Sequence, residues 1–142
     1  MGDSDSRFER FQADLRAEGV RMTQQRKVIL RVLAGADDHP DANELYHRAY
    51  ALDGSVSLST VYRTLRLLAD RGAIQRHAFE EGRARFENAD REHHDHLIDI
   101  ETGQVIEFHS EEIEELQARI AAERGYEIVR HKLELYVKKR GS

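Results

Sequence analysis

The apolar residues of this chain change period at Gly72, and that change narrows the fold more than any other feature. Before it, Phe8, Phe11 and Leu15 in "DSRFERFQADLRAEG" recur at helical spacing, and Gly19 supplies a C-terminal stop. Thr23 is suited to cap "QQRKVILRVLAG", in which Val28, Ile29, Val32 and Leu33 form one apolar stripe. "DDHP" breaks that helix at Pro40, the only proline, and Asp41 can cap "ANELYHRAYAL", which Gly54 closes. Ser57 or Ser59 then starts "STVYRTLRLLADRGA", ended by Gly72. Beyond Gly72, "AIQRHAFEEGRARFEN" reads as two short strands joined at "EEG", with Gly82 in the turn. Helices followed at once by a β-hairpin describe a winged helix-turn-helix whose fourth helix is the recognition helix.

The second half repeats the change on a smaller scale. After a charged hinge, "ADRE" at 89–92, come "DHLIDI", the turn "ETG", "QVIEF" and the helix "SEEIEELQARIAAERG". A final strand is expected in "YEIVRHKLELYVK", where Ile128, Arg130, Lys132 and Glu134 alternate with Val129, His131, Leu133 and Leu135. Some fifty residues bury little by themselves, so oligomerisation through this part is the natural remedy. The expected organisation is α+β: a winged-helix DNA-binding domain over 1–88, a hinge over 89–92, and a small α/β dimerisation and metal-binding domain over 93–142.

Charge bears on the DNA reading only when it is divided along the chain. Residues 1–88 hold 14 basic and 14 acidic side chains and residues 89–142 hold 8 and 13, so the net −5 comes wholly from the second stretch. "RMTQQRKVILR" at 21–31 and "GSVSLSTVYRTLRLLA" at 54–69 carry basic residues and no acid, and a nucleic-acid surface needs local charge rather than a basic whole. In the recognition-helix candidate, Val61, Leu65 and Leu68 form the inward stripe, while Ser59, Thr60, Tyr62, Arg63 and Arg66 fall largely on the other face. Arginine can hold guanine O6 and N7 with two hydrogen bonds, and Tyr62 can pack on a thymine methyl or reach a phosphate. Arg21 is placed to reach phosphates or a narrow minor groove. An amphipathic helix with solvated arginines fits the same pattern, so the helix alone leaves both readings open.

Other classes are narrowed by absence. No run of about 18 apolar residues occurs, so no membrane span is expected. The acidic start "MGDSDSRFER" lacks the basic and apolar regions of a signal peptide, and a cytoplasmic protein is the expectation. With no cysteine there is no disulfide, thiolate site or thiol nucleophile.

The densest chemistry lies in "REHHDHLIDIETGQVIEF" at 91–108, with three of the eight histidines in four positions. In an extended chain His94 and His96 face one way and His93 and Asp95 the other, so one peptide serves two sites. Each side needs further ligands, and His39, Glu87, Glu107, Glu114 and His131 are available. Histidines crowded without an ion repel below their pKa, which favours a metal over an accidental polar run. His47, His77 and His109, each alone, read as surface residues. One enzyme class competes: His93, Asp95 and His131 match the two-histidine, one-carboxylate triad of non-haem iron oxygenases. A metal-storage protein is a further alternative. No nucleophile–base pair or Gly-rich phosphate loop offers another enzyme, and no small-molecule substrate is expected.

Taken together, "GVRMTQQRKVIL", "STVYRTLRLLADRGAIQRH", "RFE" at 85–87, "HHDHLI", "TGQVIEF" and "HKLELY" resemble the ferric uptake regulator superfamily over essentially the whole chain. The resemblance implies a dimeric, metal-dependent repressor that binds AT-rich palindromic DNA. It implies a regulatory site of His39, Glu87, His94, His96 and Glu107, tying the two domains together, and a second site of His93, Asp95, Glu114 and His131. Tyr62 and Arg63 match the family's base-contacting positions, Arg21 its minor-groove residue, and Thr60 lies on the same face. The chain departs from the family at Asp99 and Thr102, where many members hold structural zinc with CxxC. All expected ligands are imidazole or carboxylate, suiting Fe²⁺ or Mn²⁺ in the cell and Zn²⁺, Mn²⁺ or Co²⁺ in vitro. Iron, the family's commonest co-repressor metal, is the first expectation and manganese the next.

Overall fold

The computed structural model describes residues 3–80, 82–89 and 93–141, and the chain divides into two compact units, Met1–Arg91 and Glu92–Ser142. Of the expected hinge at 89–92, only Ala89 lies among the described residues.

The first unit is a winged helix. It runs α1 (Asp3–Ala17), α2 (Gln24–Ala34), α3 (Ala42–Leu52), α4 (Leu58–Asp70), then β1 (Ile74–Ala78) and β2 (Ala84–Asn88). Local chemistry sets the starts of three helices. The side chains of Thr23, Asp41 and Ser57 accept from the backbone N–H of Arg26, Glu44 and Thr60, satisfying donors that a helix leaves without partners. After α1 the chain turns at Gly19, whose φ of +76° is a conformation other residues rarely adopt. The turn between α3 and α4 is held by Asp53, whose Oδ1 accepts from both the backbone N–H and the hydroxyl of Ser55.

One apolar cluster fills this unit. Phe8, Phe11 and Leu15 meet Ile29, Leu30, Leu33, Leu45, Val61, Leu65 and Leu68, and the hairpin adds Ile74 and Phe86. The α2 stripe sits slightly off the expected one: Leu30 is fully buried, while Val28 and Val32 are only partly covered. Three helices, α1, α3 and α4, pack against α2, so a wider face than a single stripe turns inward.

β1 and β2 pair antiparallel, with Gln75 opposite Glu87 and His77 opposite Arg85. The segment before α3 lies along the other edge of β2. Asp41 bridges Arg85, the Phe86 N–H donates to Pro40 O at 2.9 Å, and Arg85 Nη1 donates to His39 O at 3.2 Å.

The second unit contains β3 (Asp95–Asp99), β4 (Val105–Phe108), α5 (Glu111–Glu123) and β5 (Glu134–Val137). β3 is central, antiparallel to β4 and parallel to β5. Ser110 caps α5, and Glu111, Glu112 and Glu114 in its first turn complement the helix dipole. The thirteen-residue final strand expected from alternation is a correction: only Glu134–Val137 forms a strand. β3 is five residues long and can ladder only a partner of like length, so alternation before residue 133 meets no pairing edge within the unit.

The turn after β3 is closed by Asp99 and Thr102. Here Asp99 Oδ1 accepts from the N–H groups of Glu101 and Thr102, and Thr102 Oγ1 accepts from the N–H of Gln104. Gly103, at φ +76°, completes the reversal. The Glu101 N–H beside Asp99, followed by that of Thr102, holds its carboxyl below the usual range. No helix among the described residues is long and apolar enough to cross a membrane.

Candidate metal centres

The second unit brings four of the expected ligands to one point. Asp95 opens β3 with its side chain fully shielded from solvent. His93 precedes it, Glu114 comes from the first turn of α5, and His131 from the segment ahead of β5. His131 Nε2 lies 3.0 Å from Asp95 Oδ1 and 3.5 Å from Glu114 Oε1. His93 Nε2 lies 3.2 Å from His131 Nε2, 3.3 Å from Asp95 Oδ1 and 3.4 Å from Glu114 Oε1. A regular tetrahedron of N and O ligands about 2.0–2.1 Å from an ion has edges of about 3.3–3.4 Å. These five separations scatter around that value.

Two atoms sharpen the fit. Asp95 Oδ2 and Glu114 Oε1 are shut off from water with no hydrogen-bond partner, a costly state for carboxylates unless positive charge stands beside them. Two imidazole nitrogens facing each other and two carboxylates form a donor set suited to a borderline divalent cation. The triad of the oxygenase reading does converge, but Glu114 supplies a fourth donor where that chemistry needs an open position.

The residues of the other expected site fall in both units, and each half stands separately. In the first unit, His39 and Glu87 are both buried, and His39 Nε2 approaches Glu87 Oε2 at 3.1 Å. They are held in reach by the backbone bonds that lay residues 39–41 against β2. In the second unit His94 and His96 have ring centroids 4.9 Å apart, and His96 is opposite Glu107 across β3 and β4. His94 Nε2 lies 3.8 Å from Glu107 Oε1. Among the described residues, neither half alone offers four converging donors.

One residue of this neighbourhood escaped the sequence reading. His77 was expected at the surface with His47 and His109; those two are exposed, but His77 is 4% exposed. Its Nε2 lies 2.5 Å from Glu87 Oε1. The available signal was the hairpin: once β1 and β2 pair, His77 falls diagonally across from Glu87 on one face.

The residues expected at DNA divide between surface and scaffold. Tyr62, Arg63 and Arg66 are exposed on α4, and Val61, Leu65 and Leu68 are buried on its opposite face. Thr60 is half-buried, its hydroxyl 2.8 Å from that of the capping Ser57, so it helps start the helix. Arg21 is exposed just before α2, and its carbonyl accepts from Arg26 Nη1 at 2.7 Å. A groove of about 660 Å³ beside α4 and the hairpin is lined by Tyr62, Arg66, Arg76 and Arg83 among others. The groove also holds Asp41 and Asp70, and Arg83 Nη1 lies 2.7 Å from Asp41 Oδ2, so the exposed basic face is that of α4.

Comparison with known proteins bears on the whole chain. A model of the ferric uptake regulator family matches residues 17–136. A ferric uptake regulation protein of Brucella abortus biovar 1 (strain 9-941) is 56% identical over 129 residues, 91% of this chain and 92% of that one. A solved zinc-bound manganese uptake regulator is 53% identical, with a TM-score of 0.75 over 91% of this chain and 98% of that one. The Helicobacter pylori ferric uptake regulator, a structure described as revealing three functional metal binding sites, is 28% identical. It gives a TM-score of 0.89 over 98% of this chain and 93% of that one.

Proposed function

The chain belongs to the ferric uptake regulator family of metal-responsive regulators, and from that premise we propose that it is a repressor of metal homeostasis that binds operator DNA as a homodimer when loaded with Fe²⁺. Membership of the family makes it a regulator rather than an enzyme. Its dependence on a divalent metal ion goes with the family and with the histidine–carboxylate group of the second unit. The observation that carries the reading is the four-donor group of His93, Asp95, Glu114 and His131, whose separations suit an ion of that kind.

In this reading His39 and Glu87 of the first unit act with His94, His96 and Glu107 of the second as the regulatory site. A bound cation supplies the charge that lets these five donors share one position. His39 and Glu87 are anchored to the hairpin beside α4, so restraining them restrains the recognition helix relative to the second unit. Without that restraint the two DNA-binding units of a dimer sample many orientations, and only some match successive major grooves. Tyr62 and Arg63 read base edges, Thr60 contributes at the helix start, and Arg21 enters the minor groove. The operator is a palindrome, since a two-fold dimer reads two half-sites, and the family resemblance implies that it is AT-rich. His93, Asp95, Glu114 and His131 hold the second ion, and residues 93–142 supply the dimer contacts.

Manganese is the second reading. It is favoured by the likeness to a manganese uptake regulator at an identity close to that of the ferric regulators, and N and O ligands alone do not separate the two ions. Electrophoretic mobility shift on an AT-rich palindrome tests both, using anaerobic Fe²⁺, Mn²⁺ or a chelator. Retardation with Fe²⁺ within its cellular free range, lost with chelator and with His96→Ala, is the expected result. Retardation only with Mn²⁺ moves the effector to manganese. Binding that ignores both ion and chelator overturns the metal-dependent reading.

A further inference from the structure

We propose that His77 is a positioning residue that fixes the carboxylate of Glu87 as a one-oxygen ligand of the regulatory site; this rests on the reading of Glu87 as a ligand. The two oxygens of Glu87 have different neighbours. Oε1 accepts from His77 Nε2 at 2.5 Å, whereas Oε2 lies 3.1 Å from His39 Nε2. The first oxygen is engaged by a proton donor, so the second, on the His39 side, is the one offered to a cation. A carboxylate held in this way has its rotation about the last bond removed before any ion arrives. It cannot turn to present both oxygens without breaking a charge-assisted hydrogen bond.

The His77 ring is itself held. It stacks on Phe79 with ring planes 1° apart and centroids 5.3 Å apart, and both residues are buried. The strand register explains the placement. Gln75 pairs with Glu87 and His77 with Arg85, so His77, Arg85 and Glu87 share one face of the hairpin. On that face Arg85 donates to the carbonyl of His39 while His77 donates to the carboxylate of Glu87. Each first-unit ligand is thus braced by one side chain of the hairpin. Groups that orient metal ligands from behind change metal affinity by about 10–100-fold when removed.

The test titrates free Mn²⁺ against operator binding by full-length protein, followed by fluorescence anisotropy. His77→Phe keeps the ring and its stacking but removes the donor. It is expected to raise the Mn²⁺ midpoint by about 10–100-fold while reaching the wild-type plateau at saturating ion. His77→Gln, which restores a donor, is expected to return the midpoint to within about threefold of wild type, taken as the margin around that effect. A purely structural role predicts a lowered plateau that added Mn²⁺ does not recover, and that result overturns the proposal. So does a His77→Phe midpoint within about threefold of wild type, far short of the expected effect. Glu87→Ala separates the premise: an unaltered midpoint there removes Glu87 from the ligands, whereas its loss beside an unshifted His77→Phe overturns only the role of His77. Should His77→Phe not fold, His77→Ser, too short to reach Glu87, carries the same two outcomes.

Discussion

The two units solve the problem of burial in opposite ways. The first packs an apolar cluster from every one of its helices and both strands of its hairpin. In the second, Ile98 is the single buried apolar side chain among the described residues, while Asp95, His96 and Asp99 are buried. Its larger apolar residues face outward instead, among them Ile100, Leu116, Ile120, Tyr126 and Val129, the last 87% exposed. A unit whose interior is polar and whose exterior is apolar has its stabilising partners outside itself. The proposed ions supply one kind of partner and the proposed second copy the other. The first unit has an apolar cluster of its own.

The largest effect expected from that contrast is Leu65→Ala. Leu65 is in the middle of the cluster at 1% exposure, and a truncation there costs about 2–5 kcal/mol of stability in denaturant melts. Val129→Ser in the second unit is expected to leave those melts of the first unit unchanged while weakening self-association in sedimentation. A result in which the two variants exchange effects breaks the contrast.

Metal removal is next in size. An ion present at about a hundred times its dissociation constant stabilises the folded state by about 2.7 kcal/mol. A chelator is therefore expected to lower the melting temperature of the second unit in the wild type. In His131→Ala, which lacks one of the four converging donors, the chelator is expected to have little effect, as read by calorimetry. A chelator response undiminished in that variant would remove His131 from the site.

The smallest effect belongs to Asp99. Its folded-state carboxyl is depressed by the N–H groups of Glu101 and Thr102, so its contribution is fully present above the unfolded value of about 3.9. That contribution is lost as pH falls through the lower folded value, because the unfolded state binds the proton first. Asp99→Asn should flatten the acid limb of stability below about pH 4, measured as melting temperature against pH. An unchanged limb means the turn does not depend on the charge.

Much of this was legible from short stretches. The caps at Thr23 and Asp41, the stripe of α4 and the hairpin turn at Gly82 depend on neighbours within a few positions, and the structure has them as expected; of Ser57 and Ser59, both open to the sequence, it selects Ser57 as the cap of α4. The final strand was not legible, because alternation over 126–138 describes a side-chain pattern and not the length of the strand available to pair with it. His77 was misread for a related reason. Seen alone it is one polar residue in a short strand, and only the register with β2 puts a carboxylate against it. The absence of cysteine from the turn after β3 was visible, but what holds the turn was not: an aspartate closes it through backbone donors.

The sequence by itself determined where helices begin and end, which face of each is apolar, and that His93 and Asp95 part company with His94 and His96. Those properties are set by backbone period and by hydrogen bonds that span a few residues. Only the tertiary structure decided that His131 and Glu114 converge on His93 and Asp95 at 3.0–3.5 Å, and that His77 backs Glu87 from inside the hairpin. Such contacts join residues from separate elements, and their geometry depends on how those elements pack, which no local pattern encodes.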